Sequence, residues 1–159
     1  MAAAMTWSDP ARDVAFPRAR ALTLMTEGHI VHCVWSGKRL TADNLDVDHC
    51  LPWSAWPCSD LWNLMPTDRR VNQVSKRDRL PSAEALTAAE DSISTWWTAA
   101  YLQPGDPILP ARFRAEAVAS LPGITISGSP DSKTIYTALG LQRVRLRQNQ
   151  GVPEWAWRS

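Results

Sequence analysis

The stretch Leu45-Asp46-Val47-Asp48-His49 ends an apolar, strand-like run on a carboxylate beside an imidazole. Downstream come one carboxamide, Asn63, and a second within Asn72-Gln73-Val74-Ser75-Lys76. Cutting a phosphodiester requires a deprotonated water, a counter-charge for the phosphorane, and help for the departing oxygen. His49 suits the first task, because an imidazole titrates near neutrality. A hard divalent ion suits the other two. Asp48 and Asn72 are oxygen donors of the type that bind such an ion while it keeps several waters. Neighbouring strand residues face opposite ways, so Asp48 and His49 serve one site only where the strand ends or bends.

Around this dipeptide the chain divides by its turn signals. Residues 30–35 (IVHCVW) read as a strand, Ser36-Gly37-Lys38 as a turn, and residues 45–49 as a second strand. Together they form a hairpin-like pair. Residues 50–62 have no period, and their two prolines and three tryptophans predict a fixed loop. Pro66 is expected to open a helix running to about Arg77, with Asp68 in its first turn and Lys76-Arg77 in its last, both matched to the helix dipole. Arg69, Asn72 and Lys76 share a face of that helix and would present a metal ligand flanked by cations, a phosphate-binding surface that Arg70 extends.

Farther out, Asp9-Pro10 opens an N-terminal helix that Gly28 closes, with Pro17 interrupting or restarting it. Ser82 caps a helix over residues 83–101, where Leu86, Ala89, Ile93, Trp96, Trp97 and Ala100 follow helical spacing. Pro104-Gly105 breaks it, and shorter helices are expected over 111–120 and 132–139. Residues 142–147 alternate Val144 and Leu146 with Arg143, Arg145 and Arg147. They read as a strand or a basic arm, whose arginines either grip phosphate or form the wet side of an edge strand.

The whole chain sets bounds. Its 159 residues suffice for one domain with its own core, or a small core with an added helical part. Net charge is only +1, so any basic surface is local: residues 66–80 carry five Lys/Arg against two Asp. Three cysteines (Cys33, Cys50, Cys58) without a C-x-x-C pair argue against a disulfide framework and for a reducing compartment. No secretory signal or membrane-length apolar run is evident, so a soluble cytoplasmic protein is expected. Nine tryptophans suggest a core built from a few large side chains, and Trp53, Trp56, Trp62, Trp96 and Trp97 are expected to be mostly buried.

The ordered set Asp48-His49, Asn63 and Asn72 resembles the HNH nucleases, whose ββα-metal (His-Me finger) motif carries Asp-His on a strand, Asn in the loop, and His or Asn on the next helix. The resemblance covers about residues 30–81. It implies an α+β fold: an HNH core over 30–81, a helical segment over 1–29, and a helical extension with a basic end over 82–159. It implies that Asn63 holds the loop and orients the catalytic His49. It further implies one-metal hydrolysis of DNA, with Asp48 and Asn72 binding Mg²⁺ or Mn²⁺ and Arg69, Arg70 and Lys76 holding phosphate. RNA is a second possible substrate, and the unit could sit within a larger protein.

The chain departs from one common pattern of that family, two C-x-x-C pairs around a structural zinc. Cys33-Val34-Trp35-Ser36 stands where the first pair would be, so the second thiol is a serine. Cys50 and Cys58 restore no pair. No structural zinc is therefore expected, and the Trp-rich loop should hold the motif by packing. Asn72 in place of the last motif His adds an amide oxygen, which favours Mg²⁺ or Mn²⁺ over zinc. Two alternatives stand beside this reading: a nucleic-acid-binding module without catalysis, and a small zinc-binding interaction domain drawing on His32, Cys33, Cys50 and Cys58.

Overall fold

The protein is described by a computed structural model over residues 13–103, 105–125 and 129–157. The expected start of the first helix at Asp9-Pro10 lies outside the described residues. Within them, α1 spans Ala15–Thr26. Pro17 sits in its first turn, where a missing N–H breaks no intrahelical bond, so the helix is not interrupted. Gly28 then turns the chain at φ 90°.

The central pair of strands is not the expected hairpin. Strand β1 (Leu45–His49) pairs antiparallel with β2 (Leu64–Asp68), in the register Leu45↔Asp68 to His49↔Leu64. Residues 30–35 contribute only a bridge, His32↔Arg39, closing a tight turn in which Cys33 N–H donates to the Lys38 carbonyl at 2.8 Å. The helix expected from Pro66 starts later, because Pro66 lies inside β2. Asn44 with Arg69 and Cys50 with Asn63 are hydrogen-bonded pairs flanking the ladder. Alternation therefore makes Val47↔Pro66 a non-hydrogen-bonded pair. The missing proline N–H faces away from β1, and Pro66 loses no ladder bond. Its carbonyl accepts from Val34 N–H at 3.1 Å, tying the 33–38 turn to the sheet.

After β2 the chain enters a helical stretch whose Val71–Lys76 segment is a π-helical turn. With β1 and β2 it completes a ββα unit. Strand β3 (Leu80–Pro81) follows, then α2 (Ala83–Ala88) and α3 (Glu90–Trp97), which continues into a π-helical turn over Thr98–Leu102. Ser82 caps α2 as expected, its Oγ accepting from Ala85 N–H at 3.0 Å. The apolar positions at helical spacing, Leu86 through Ala100, are all buried. Helix α4 spans Ile108–Ser120 and α5 spans Ser132–Gln150.

Helix α5 corrects the strand-or-arm reading of residues 142–147. Ile135, Ala138, Leu139, Arg143 and Leu146 are its buried face, spaced three and four apart. The short alternation of Val144 and Leu146 with arginines is one helical turn seen out of context. Arg143 and Arg147, four apart, both reach Glu154 at 3.0 and 3.4 Å. Glu154–Trp155 forms β4, parallel to β3, and returns the chain end to the ββα unit.

The core is continuous. It joins Leu24 of α1, Leu45 of β1, Met65 of β2, Trp97 of α3, Phe113 of α4 and Leu139 of α5. Trp62, Trp96 and Trp97 are buried as expected, whereas Trp53 and Trp56 in the 50–62 loop are half-buried. Trp96 Nε1–H donates to the Leu64 carbonyl at 3.1 Å, pinning α3 to β2. No described helix is long and apolar enough to cross a membrane.

Candidate active site

Strand β1 ends at His49, so the chain bends away and both faces of its last residues border one cavity of about 290 Å³. Asp48, His49, Pro52, Trp53, Asn72 and Arg77 are among its lining residues. Asn72, distant in sequence, is thus brought beside the adjacent pair Asp48-His49.

The loop behind His49 is held by Asn63, which is fully buried. Its Oδ1 accepts from Leu51 N–H at 2.9 Å, and its Nδ2 donates to the Leu51 and Cys58 carbonyls at 3.2 and 2.9 Å. One side chain thereby satisfies three backbone groups at Leu51 and Cys58, in the part of the loop that has neither strand nor helix. The half-buried His49 ring meets Trp53 edge to face at 5.5 Å, and its Nε2 lies 3.3 Å from Ser59 Oγ.

Lys76 requires a correction. Far from lying on an exposed phosphate-binding face, it is fully buried. Its Nζ lies 3.1 Å from both carboxylate oxygens of Asp48 and donates to the His49 carbonyl at 3.0 Å. The π-helical turn displaces Lys76 from the regular i,i+4 position beside Asn72 and turns its chain inward. Trp35 Nε1–H donates to Asp48 Oδ2 at 3.0 Å, and the Lys76 ammonium sits 5.9 Å from the Trp35 ring centroid. Burial pushes the Asp48 carboxyl above its ordinary range, while Lys76 and the Trp35 N–H pull it back.

Asn72 is also held. Its Nδ2 donates to Asp46 Oδ2 at 2.9 Å, and Gln73 Nε2 donates to the same oxygen at 3.3 Å. This fixes the amide so that Oδ1 remains its acceptor. Arg69 and Arg70 are exposed. Arg70 lines a different groove, with Ser36, Lys38, Asp68 and Val71.

Sequence reading missed Trp35, Asp46, Ser59 and Arg77. Asp46 had a signal, because alternation sets Asp46 and Asp48 on one strand face. Trp35 had none, since its approach to Asp48 depends on the 33–38 turn docking on β2. The end of the chain reinforces that support: Trp155 meets Trp35 edge to face at 5.5 Å and donates from Nε1 to Ser75 Oγ at 2.8 Å.

The turn at Cys33-Val34-Trp35-Ser36 closes without a second thiol. Cys33 Sγ accepts from Ser36 N–H at 3.4 Å, and Ser36 Oγ accepts from Lys38 N–H at 3.2 Å. Cys33, Cys50 and Cys58 are free and buried. Lys38 and Asp68, 3.2 Å apart, bridge this turn to the end of β2. Among the described residues no group of three or more His, Cys, Asp and Glu side chains could hold a metal ion.

Two strands, an intervening structured loop and a helical turn around Asp48, His49 and Asn72 define the ββα-metal class of core within an α+β fold. Residues 33–82 match the family model of HNH endonucleases, so over this segment the chain is similar to a nuclease domain. Searches of curated proteins and of solved structures found no match. HNH nucleases generally use a divalent metal, and the donors at the cavity fit a hard one. Asn72 Nδ2 is committed to Asp46, leaving Oδ1 as an oxygen acceptor, whereas both oxygens of the buried Asp48 already accept from Lys76 or Trp35.

Proposed function

We propose that the protein is a metal-dependent endonuclease that hydrolyses DNA phosphodiester bonds. The observation that carries this reading is the convergence of Asp48, His49 and Asn72 on one cavity at the end of β1. His49 takes the proton of the attacking water as the water oxygen closes on phosphorus and the bond to the 3′ oxygen breaks. Trp53, Ser59 and the Asn63-braced loop hold its ring in place. Asp48 and Asn72 would hold the ion, and Asp46 orients the Asn72 amide. When bound, the ion supplies charge stabilisation for the phosphorane and the leaving oxygen. Arg69 and Arg70 offer exposed cations to flanking phosphates.

A second reading draws on a specific observation: both Asp48 oxygens already accept from Lys76 or Trp35. That favours a nucleic-acid-binding module without catalysis. Incubating the protein with supercoiled plasmid and Mg²⁺ or Mn²⁺ separates the two. Nicked or linear product that disappears in His49→Ala, with a rate loss of ~10²–10⁴-fold, supports the nuclease. DNA binding without product in either metal supports the module.

A further inference from the structure

Arg77 is the only described non-glycine residue with a positive φ, at φ 52° and ψ −135°. Arg79 N–H donates to the Lys76 carbonyl at 3.1 Å, closing a four-residue turn over Lys76–Arg79. These angles match the first central position of a type II′ turn, which ordinarily falls to glycine because a Cβ is strained there. The side chain at this position is nevertheless the longest cation available. Strain of this kind persists where the surroundings impose it, and it clusters at functional sites.

The other cations of this basic stretch do not line the His49 cavity. Lys76 is buried against Asp48. Arg79 donates to the Lys76 and Ser75 carbonyls at the end of the helical turn. Arg70 lines the groove beside Lys38 and Asp68. Arg77 alone of the described cations lines the cavity with Asp48, His49 and Asn72. It is exposed and makes no ion pair among the described residues.

We propose that Arg77 holds the phosphate of the substrate strand in the His49 cavity, a task the sequence assigns to Arg69, Arg70 and Lys76, and that the strained turn serves to deliver the guanidinium there. This rests on the nuclease reading above. A guanidinium matches phosphate in a bidentate geometry that an ammonium cannot reproduce.

The test compares Arg77→Gly and Arg77→Lys with Arg145→Ala, which removes an equal charge from the exposed side of α5. Thermal unfolding, plasmid cleavage, and the salt dependence of binding to a 20-base-pair duplex are measured, the last without metal in a His49→Ala background. Arg77→Gly should unfold about 2–6 °C higher, because glycine relieves the turn. It should lose about tenfold to a hundredfold in kcat/KM and lower the salt slope of binding by about 1. Arg77→Lys should keep the slope and recover only part of the rate. Arg145→Ala should leave the cleavage rate unchanged. Wild-type cleavage and slope in Arg77→Gly would overturn the assignment while leaving the nuclease reading intact, and a lowered unfolding midpoint would make Arg77 a structural residue instead. If the wild-type protein cuts with neither metal, the nuclease reading fails, and the slope still decides whether Arg77 touches phosphate.

Discussion

Replacing Lys76 with methionine keeps most of the side-chain volume and removes the ammonium from a site closed to solvent. Asp48 would then retain only the Trp35 N–H, at 3.0 Å, and the His49 carbonyl would lose its donor. Removing one partner of a buried ion pair leaves an uncompensated charge and costs about 3–5 kcal/mol. At roughly 2–4 °C per kcal/mol for a chain of this size, the midpoint should fall by ~6–20 °C at pH 7. The pH dependence identifies the cause. Burial raises the Asp48 carboxyl from its ordinary 3.8, and Lys76 opposes that rise. Without Lys76 the folded-state pKa climbs further above the unfolded value. A group raised on folding contributes stability that is present below its unfolded pKa and lost as pH rises through its folded pKa. The deficit of Lys76→Met against wild type should therefore be largest at neutral pH and shrink as pH falls toward the ordinary carboxylate range. Adding Asp48→Asn should recover part of it at pH 7. Urea titrations of wild type, Lys76→Met and Lys76→Met/Asp48→Asn from pH 4 to pH 8 form the assay. A Lys76→Met protein within about 0.5 kcal/mol of wild type at pH 7, the range of ordinary surface substitutions, would refute the buried pair. A deficit independent of pH would refute the charge argument.

Three further outcomes are expected. Asn63→Ala should destabilise the fold by about 2–4 kcal/mol, since three buried hydrogen bonds are lost, and should speed hydrogen exchange at the Leu51 amide; unchanged exchange there would mean the loop stands without its brace. EDTA should stop cleavage while leaving the unfolding midpoint nearly unchanged, because the Cys33 turn closes through protein hydrogen bonds; one equivalent of zinc per chain together with EDTA-induced unfolding would revive the zinc-domain alternative. Asp48→Ala and Asn72→Ala should each raise the Mg²⁺ concentration needed for half-maximal activity, Asp48→Ala more because it loses a formal charge; identical metal titrations in both would remove them as ligands.

Residue type marks Asp48, His49 and Asn72 as oxygen donors and a titrating ring, the resemblance to HNH nucleases adds Asn63 and joins them into one set, and local spacing marks Ser82 as the cap of a helix with an apolar stripe. These signals are local: an oxygen donor, a titrating ring, a cap and a 3.6-residue period can each be read without knowing what lies across the fold. The partner of β1 could not be read this way. Residues 30–35 and 64–68 are both plausible neighbours, and Pro66 looks like a helix start until the register shows its missing N–H facing away from β1. The reading of α5 failed for a related reason, because six residues of alternation carry too little pattern to outweigh a buried face that only packing reveals. The fate of Lys76 lay furthest from the sequence. Whether a lysine reaches solvent or a buried carboxylate depends on the desolvation and Coulomb terms of its neighbours. Those neighbours, Asp48 and Trp35, are gathered only when the 33–38 turn, β1 and the π-helical turn come together.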